Sequence, residues 1–508
     1  MIRHTAAFLV LSIAVIPTLA QTSSNGDVGH PGMHLTSDDA EAMVVAGRTA
    51  MMAFRLEDAE ATFQRLLAQP GNNEAALYHL TAIDFVKAMF GQDEQSFDDF
   101  YERCDMLGDL LEDKPESAWR LFFAAENYLM NGFARGREGD FLRAAVSARQ
   151  AYETYLDALR RDPTLIDAET GVGLLKALIG ATPPAYRRFL KLFGYKGTID
   201  EGLMLLDHAA KKSRYNRPQA ALFRDLTRVF MNKGRPAATE RLGASFEDSR
   251  NPASGLLYAF ALRFTRDPEK AVLIATEALE IAGQPEFAKP TFLHYHLGAA
   301  LFSLNRFEEA IPELQEYLRL FEGQSYLASA KLRLGVSLEM LGRRAEAEEI
   351  YEDVRAPTEF DIDLAAQRDA KKLLREPLTA NGKNLIIGRN AVSGRRHDEA
   401  LAVLQSVFFA PEATEVERAQ AAYYLGRSHH LAGNLGEAAT KYVYVQTHPT
   451  DNDERWAPWA LYYLGKLRLA EGRVNDAKEL FEQALDQGGD YDYKKSLRRN
   501  SRLALDGL

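Results

Sequence analysis

Two stretches near the C-terminal end of the chain carry one pattern. AAYYLGRSHHLAGNLGEAATKY (residues 421–442) and ALYYLGKLRLAEGRVNDAKELF (residues 460–481) align without a gap when Gly426 is set over Gly465. In each, the glycine is followed twelve positions later by Ala438 or Ala477, and four positions after that by Tyr442 or Phe481. The same spacing runs through Gly388, Ala400 and Leu404, through Gly335, Ala347 and Tyr351, and through Gly298, Ala310 and Leu314. Ala259, Ala271 and Ala275 keep it, and so do Gly47, Ala59 and Phe63 near the start. A small residue and an alanine at this separation let two antiparallel helices approach closely, and the larger side chain fills the gap one turn on. The turns between them, such as LAGNLGEA and MLGRRAEA, supply Gly or Asn to end one helix and an acidic residue to open the next.

These units resemble tetratricopeptide repeats, whose pattern of Leu-Gly, Tyr, Ala, Phe, Ala and Pro extends over about 34 residues. Here the steps from 259 to 298, 335, 388, 426 and 465 are 39, 37, 53, 38 and 39 residues, so the inter-repeat loops are longer. The resemblance implies an all-α, right-handed superhelical solenoid of antiparallel helix pairs. Residues 37–285 read as an irregular helical-repeat region, 286–375 as a repeat pair, and 384–508 as a C-terminal array with a capping helix. The 53-residue step contains REPLTANGKN and predicts a break in the stack. In the irregular region Pro183-Pro184 must end a helix, and the turn Gly194-Tyr195-Lys196-Gly197-Thr198 follows. That interruption is similar to one in the tetratricopeptide repeat domain 39 family, which includes an inclusion-body clearance protein. It implies architecture only.

The N-terminus predicts export. Arg3 precedes an apolar run from Ala6 to Ile16, and Thr18-Leu19-Ala20 fits a processing site, so residues 1–20 read as a signal peptide and 21–36 as a flexible tether. The run is too short to span a bilayer, and no Cys follows the cleavage site for lipid attachment. The expected location is the periplasm or the extracellular space. The single cysteine, Cys104, allows no internal disulfide.

A formal net charge of -11 argues against nucleic-acid binding. No phosphate loop, nucleophile elbow, dinucleotide fingerprint or HExxH motif occurs. His294 and His296 are two apart, and His429 and His430 are adjacent, so neither pair sits on one helix face to share a metal. The chain reads as a non-enzymatic protein without catalytic, metal or cofactor residues.

The resemblance implies a concave groove that binds a partner protein or peptide. It assigns to that groove Phe292, Tyr295 and Phe302, then Tyr423, Arg427 and His430, then Trp459, Tyr462 and Lys466, whose rings either meet the partner or pack one repeat on the next. The carboxylate clamp of chaperone-binding members uses Asn and Lys at groove positions, where this chain has Tyr, Arg and His. Ser428 is placed on the outer face. A second candidate surface is the basic amphipathic segment 185–193: Tyr186, Phe189, Leu190 and Phe193 form a stripe beside Arg187, Arg188 and Lys191. It suits either packing on the solenoid or contact with an anionic membrane surface. The tail holds Lys494, Lys495, Arg498, Arg499 and Arg502, as a polar terminal cap would.

Overall fold

A computed structural model describes residues 33–112, 116–182, 195–356, 361–448 and 454–508, and within them all regular structure is helical. The expected signal peptide, residues 21–32 of the expected tether and the segment 185–193 lie outside the described residues. The packed chain starts earlier than the composition suggests. Met33 and Leu35 are buried, and the amide and hydroxyl of Thr36 both donate to Oδ1 of Asn72.

The helices pair in chain order. The first pairs are α1 (Asp38–Met52) with α2 (Leu56–Leu67), α3 (Asn73–Gly91) with α4 (Glu94–Glu112), and α5 (Ala118–Arg137) with α6 (Phe141–Arg161). Next come α7 (Ala168–Ala181) with α8 (Ile199–Lys212), α9 (Arg217–Met231) with α10 (Arg235–Ser249), and α11 (Pro252–Thr265) with α12 (Pro268–Ala282). Then follow α13 (Phe292–Ser303) with α14 (Phe307–Leu320) and α15 (Leu327–Met340) with α16 (Arg344–Glu352). After the single helix α17 (Asp361–Arg375) stand α18 (Ala380–Ser393) with α19 (His397–Phe408), α20 (Glu415–Ala432) with α21 (Leu435–Thr447), and α22 (Trp456–Ala470) with α23 (Val474–Asp486). The last helix, α24 (Lys494–Leu505), caps the array.

The spacing read from the sequence acts through direct contact. A Cβ placed on Gly47, Gly335, Gly426 or Gly465 would lie 2.5 to 2.8 Å from the ring sixteen residues on, that of Phe63, Tyr351, Tyr442 or Phe481. The glycine is therefore the seat of the ring, and any side chain there would push the pair apart. Ala59, Ala310, Ala347, Ala400, Ala438 and Ala477 are all fully buried between the paired backbones.

First helices of successive pairs touch one another, as α11 touches α13, α13 touches α15 and α20 touches α22. Second helices make no comparable contact, so the stack curves toward its first helices and these line the inner face.

The N-terminal helices close on later ones. Arg48 of α1 donates to Oδ1 of Asn216 at 2.7 Å and to the carbonyl of Tyr215 at 3.2 Å. The amide of Ala288 donates to the carbonyl of Phe54 at 2.7 Å, and the rings of Phe90 and Phe292 are 6.3 Å apart. One apolar cluster runs from Met33 to Ala370, and separate clusters cover 385–425 and 422–467. Across the boundary, α18 docks on α13: Asn390 donates to the carbonyl of Phe302 at 2.8 Å and Arg396 to that of Ser303 at 3.1 Å. At the far end Ser496 of α24 donates to Asp361 of α17 at 2.7 Å.

Candidate functional site

The structure divides the nine expected groove residues. Phe292, Tyr295 and Phe302 are 1%, 0% and 4% exposed and belong to the core, not to an open groove. Their cover comes from elsewhere in the chain. Phe90 and Phe321 close over Phe292 at ring separations of 6.3 and 5.0 Å. Tyr326 stacks on Tyr295 at 4.4 Å, and Phe307 meets Phe302 edge-on at 5.5 Å. Ser428 also departs from expectation. It is 3% exposed and within 2.7 Å of Nδ1 of His397, in the seam between α19 and α20 rather than on the outer face.

The other six residues lie on α20 and α22 near the surface. Tyr423, Arg427, His430, Trp459 and Tyr462 are half-buried, and Lys466 is exposed. Their geometry centres on a residue missing from the expected set. The guanidinium of Arg427 stacks 3.7 Å from the centre of the Tyr463 ring. The Tyr442 and Trp459 rings stack on Tyr463 at 6.0 and 5.8 Å, and Tyr423 and His430 approach it at 6.3 and 6.0 Å. Tyr462 turns instead toward its own pair partner, Phe481, at 5.7 Å. Neighbouring helix positions differ by about 100°, so the two rings of the Tyr462-Tyr463 pair face different ways. In the alignment of the two units Tyr423 falls on Tyr462 and Tyr424 on Tyr463, so repeat equivalence alone carries no signal that singles out Tyr463.

Two further arginines reach this site from distant turns. Arg266, just past α11, donates to the carbonyl of Val392 at 3.4 Å and lies within Coulombic range of Arg427 and Arg395. Burial, and then these two like charges, lower its pKa. A cleft of about 380 Å³ opens here, lined by residues 265–269, Leu304 and residues 394–396. Among the described residues, Arg266, Arg395, Arg427 and Lys466 form no ion pair with a carboxylate. Burial, with Arg427 and Lys466, holds His430 down at about 4, so it is neutral at pH 7. Burial drives the Tyr423 phenol up, with Tyr463 adding to the effect, so it stays protonated. The site thus offers aromatic faces, phenol hydroxyls and uncompensated cations. It presents no nucleophile paired with a base, and the described residues hold no group of three or more His, Cys, Asp or Glu placed for a metal.

Comparison with known proteins bears on the same helices. Profiles of the tetratricopeptide repeat match residues 295–361 and 387–452, and a second profile of that repeat matches 459–487. No curated protein matches the chain. Similar solved structures include a tetratricopeptide repeat protein from Parabacteroides merdae, 15% identical, covering 54% of this chain and 94% of that one with a TM-score of 0.22. Human IFIT1, solved as a dimer with PPP-AAAA, is 14% identical and covers 94% of this chain and 99% of its own, with a TM-score of 0.33. Cut9, solved with Hcn1 as a hetero-tetramer of the APC/C, is 13% identical and covers 91% and 96%, with a TM-score of 0.31. What those chains bind is a property of those chains. Between residues 295 and 487 this chain carries tetratricopeptide repeats, folded as a helical solenoid, the architecture of protein-interaction scaffolds that are generally not catalytic.

Proposed function

We propose that the chain is a non-enzymatic scaffold of the bacterial cell envelope that holds a partner protein or peptide on the inner face of its C-terminal array. The observation that carries this reading is the stacked Arg427–Tyr463 pair, flanked by Tyr423, His430 and Trp459, with Arg266 and Arg395 alongside and no ion pair to a carboxylate among the described residues. Rigid rings provide contact area at low entropy cost, and uncompensated arginines select acidic side chains and fix register. The partner segment is therefore acidic and apolar. Affinity capture from an envelope extract tests this. Truncating a central anchor costs about 2 kcal/mol, roughly thirtyfold in affinity. Tyr423→Ala with Arg427→Ala should abolish capture with helix content by circular dichroism unchanged. Capture that survives in a folded double variant would place the partner elsewhere. Export is tested separately: mass spectrometry of the envelope fraction should find a mature chain starting at Gln21, and retained Met1 would refute it.

A second reading is peripheral contact with a membrane surface through the segment 185–193. Its support lies on α6, where Phe141, Leu142 and Val146 are 62%, 79% and 53% exposed. The hydroxyl of Tyr195 donates to the carbonyl of Ala145 at 3.2 Å, beside that patch. No helix among the described residues is long and apolar enough to cross a membrane. Co-sedimentation with anionic liposomes should be lost in Leu142→Ser if this reading holds, and a wild-type chain that ignores liposomes ends it.

A further inference from the structure

Two arginines from two helices converge beside Tyr295. The guanidinium of Arg263 on α11 lies 5.4 Å from the centre of the Tyr295 ring, and that of Arg333 on α15 lies 5.9 Å from it. Arg389 on α18 is within Coulombic range of Arg333. All three are half-buried, and none forms an ion pair with a carboxylate among the described residues.

What they do touch is uncharged. Nη1 of Arg263 donates to Nδ1 of His296 at 3.0 Å, and burial followed by the charges of Arg263 and Arg333 keeps that imidazole neutral. Nη1 of Arg333 donates to the Ser329 carbonyl at 3.0 Å and to the Ser329 hydroxyl. Nε of Arg333 is buried with no hydrogen-bond partner among the described residues. Asp363 acts on Tyr326 and Arg137, and it pairs with none of the three arginines. Burial, then Arg263 and Arg389, depress the pKa of Arg333.

Gathering like charges in a half-buried site costs free energy, and cation–π contact with one tyrosine does not replace a counter-ion. The surroundings are also held in unfavourable backbone geometry. Tyr326, stacked on Tyr295, and Tyr493, within range of Arg333, adopt left-handed φ values of 56° and 62°.

We infer that Arg263, Arg333 and Arg389 form an oxyanion-binding site on the inner face of the solenoid. Its ligand is a carboxylate or a phosphate, the groups that guanidinium forks bind with paired hydrogen bonds.

The test is isothermal titration of the full chain at low salt with two probes, octaglutamate and tripolyphosphate. At least one binds the wild type, and Arg333→Met and Arg389→Gln each weaken it by about tenfold or more. Without probe, Arg333→Met melts at the wild-type temperature or above it, because methionine removes an uncompensated charge while keeping much of the side-chain length. A merely structural arginine would lower the melting temperature instead. Binding of octaglutamate alone identifies an acidic polypeptide as the source, and tripolyphosphate alone identifies a phosphate ligand. Binding of neither probe, or unchanged affinity in the variants, overturns the site. If Arg333→Met fails to fold, Arg389→Gln decides alone.

Discussion

Glu126 is a carboxyl group buried between two phenols. Tyr155 donates to one oxygen at 2.6 Å and Tyr78 to the other at 3.4 Å. Burial raises its pKa to about 7, with Asp167 adding and Tyr155, Arg48 and Tyr78 opposing. Between the ordinary value of 4.5 and about 7 the folded chain holds a proton that the unfolded chain has lost. Stability therefore falls as pH rises through that window and levels off above it. Glu126→Gln keeps the size and hydrogen-bonding capacity without the charge. Its gain over wild type should be larger at pH 8 than at pH 5, by up to about 3 kcal/mol. Denaturant unfolding at both pH values checks this, and equal gains would show that Glu126 titrates normally. At this scale the sequence was readable only in part. Tyr423 and Arg427 are half-buried in one ring cluster with Tyr463, but choosing Tyr463 over Tyr462 needs a helix phase finer than a repeat alignment supplies.

At the scale of the helix pair, the glycine–aromatic contact makes strong claims. Ala438 and Ala477 are fully buried, so Ala438→Leu and Ala477→Leu should each overpack a pair and cost about 1–3 kcal/mol. Gly426→Ala should cost a similar amount, since its Cβ would lie 2.7 Å from Tyr442. Ser428→Ala leaves His397 without its partner and should cost about 1 kcal/mol rather than nothing. Thermal melts of the four variants against the outer-face Glu479→Ala give the ranking, and five equal melting temperatures would contradict the assigned faces. These pairs were legible because both partners of each contact lie within one repeat. Ser428 was not, because its partner belongs to the preceding pair.

For the whole molecule, curvature and closure decide which faces stay open. Phe292, Tyr295 and Phe302 carry the same motif signal as the later units, yet they are sealed. Phe90 arrives from α3, and α18 docks on α13 after the interruption at α17. No local pattern encodes those arrivals, so the sequence alone cannot separate a sealed stripe from an open one. The C-terminal array keeps its stripe near the surface, where the proposed partner lies beside the Arg427–Tyr463 pair. Site-specific photo-crosslinking tests that claim most directly. p-Benzoylphenylalanine would be placed at position 463 on the inner face and at position 479 on the outer face of the full chain, in envelope extract. A discrete adduct is expected from position 463, competed by an acidic aromatic peptide, and none from position 479. Adducts from position 479 alone, or from both positions equally, would contradict it.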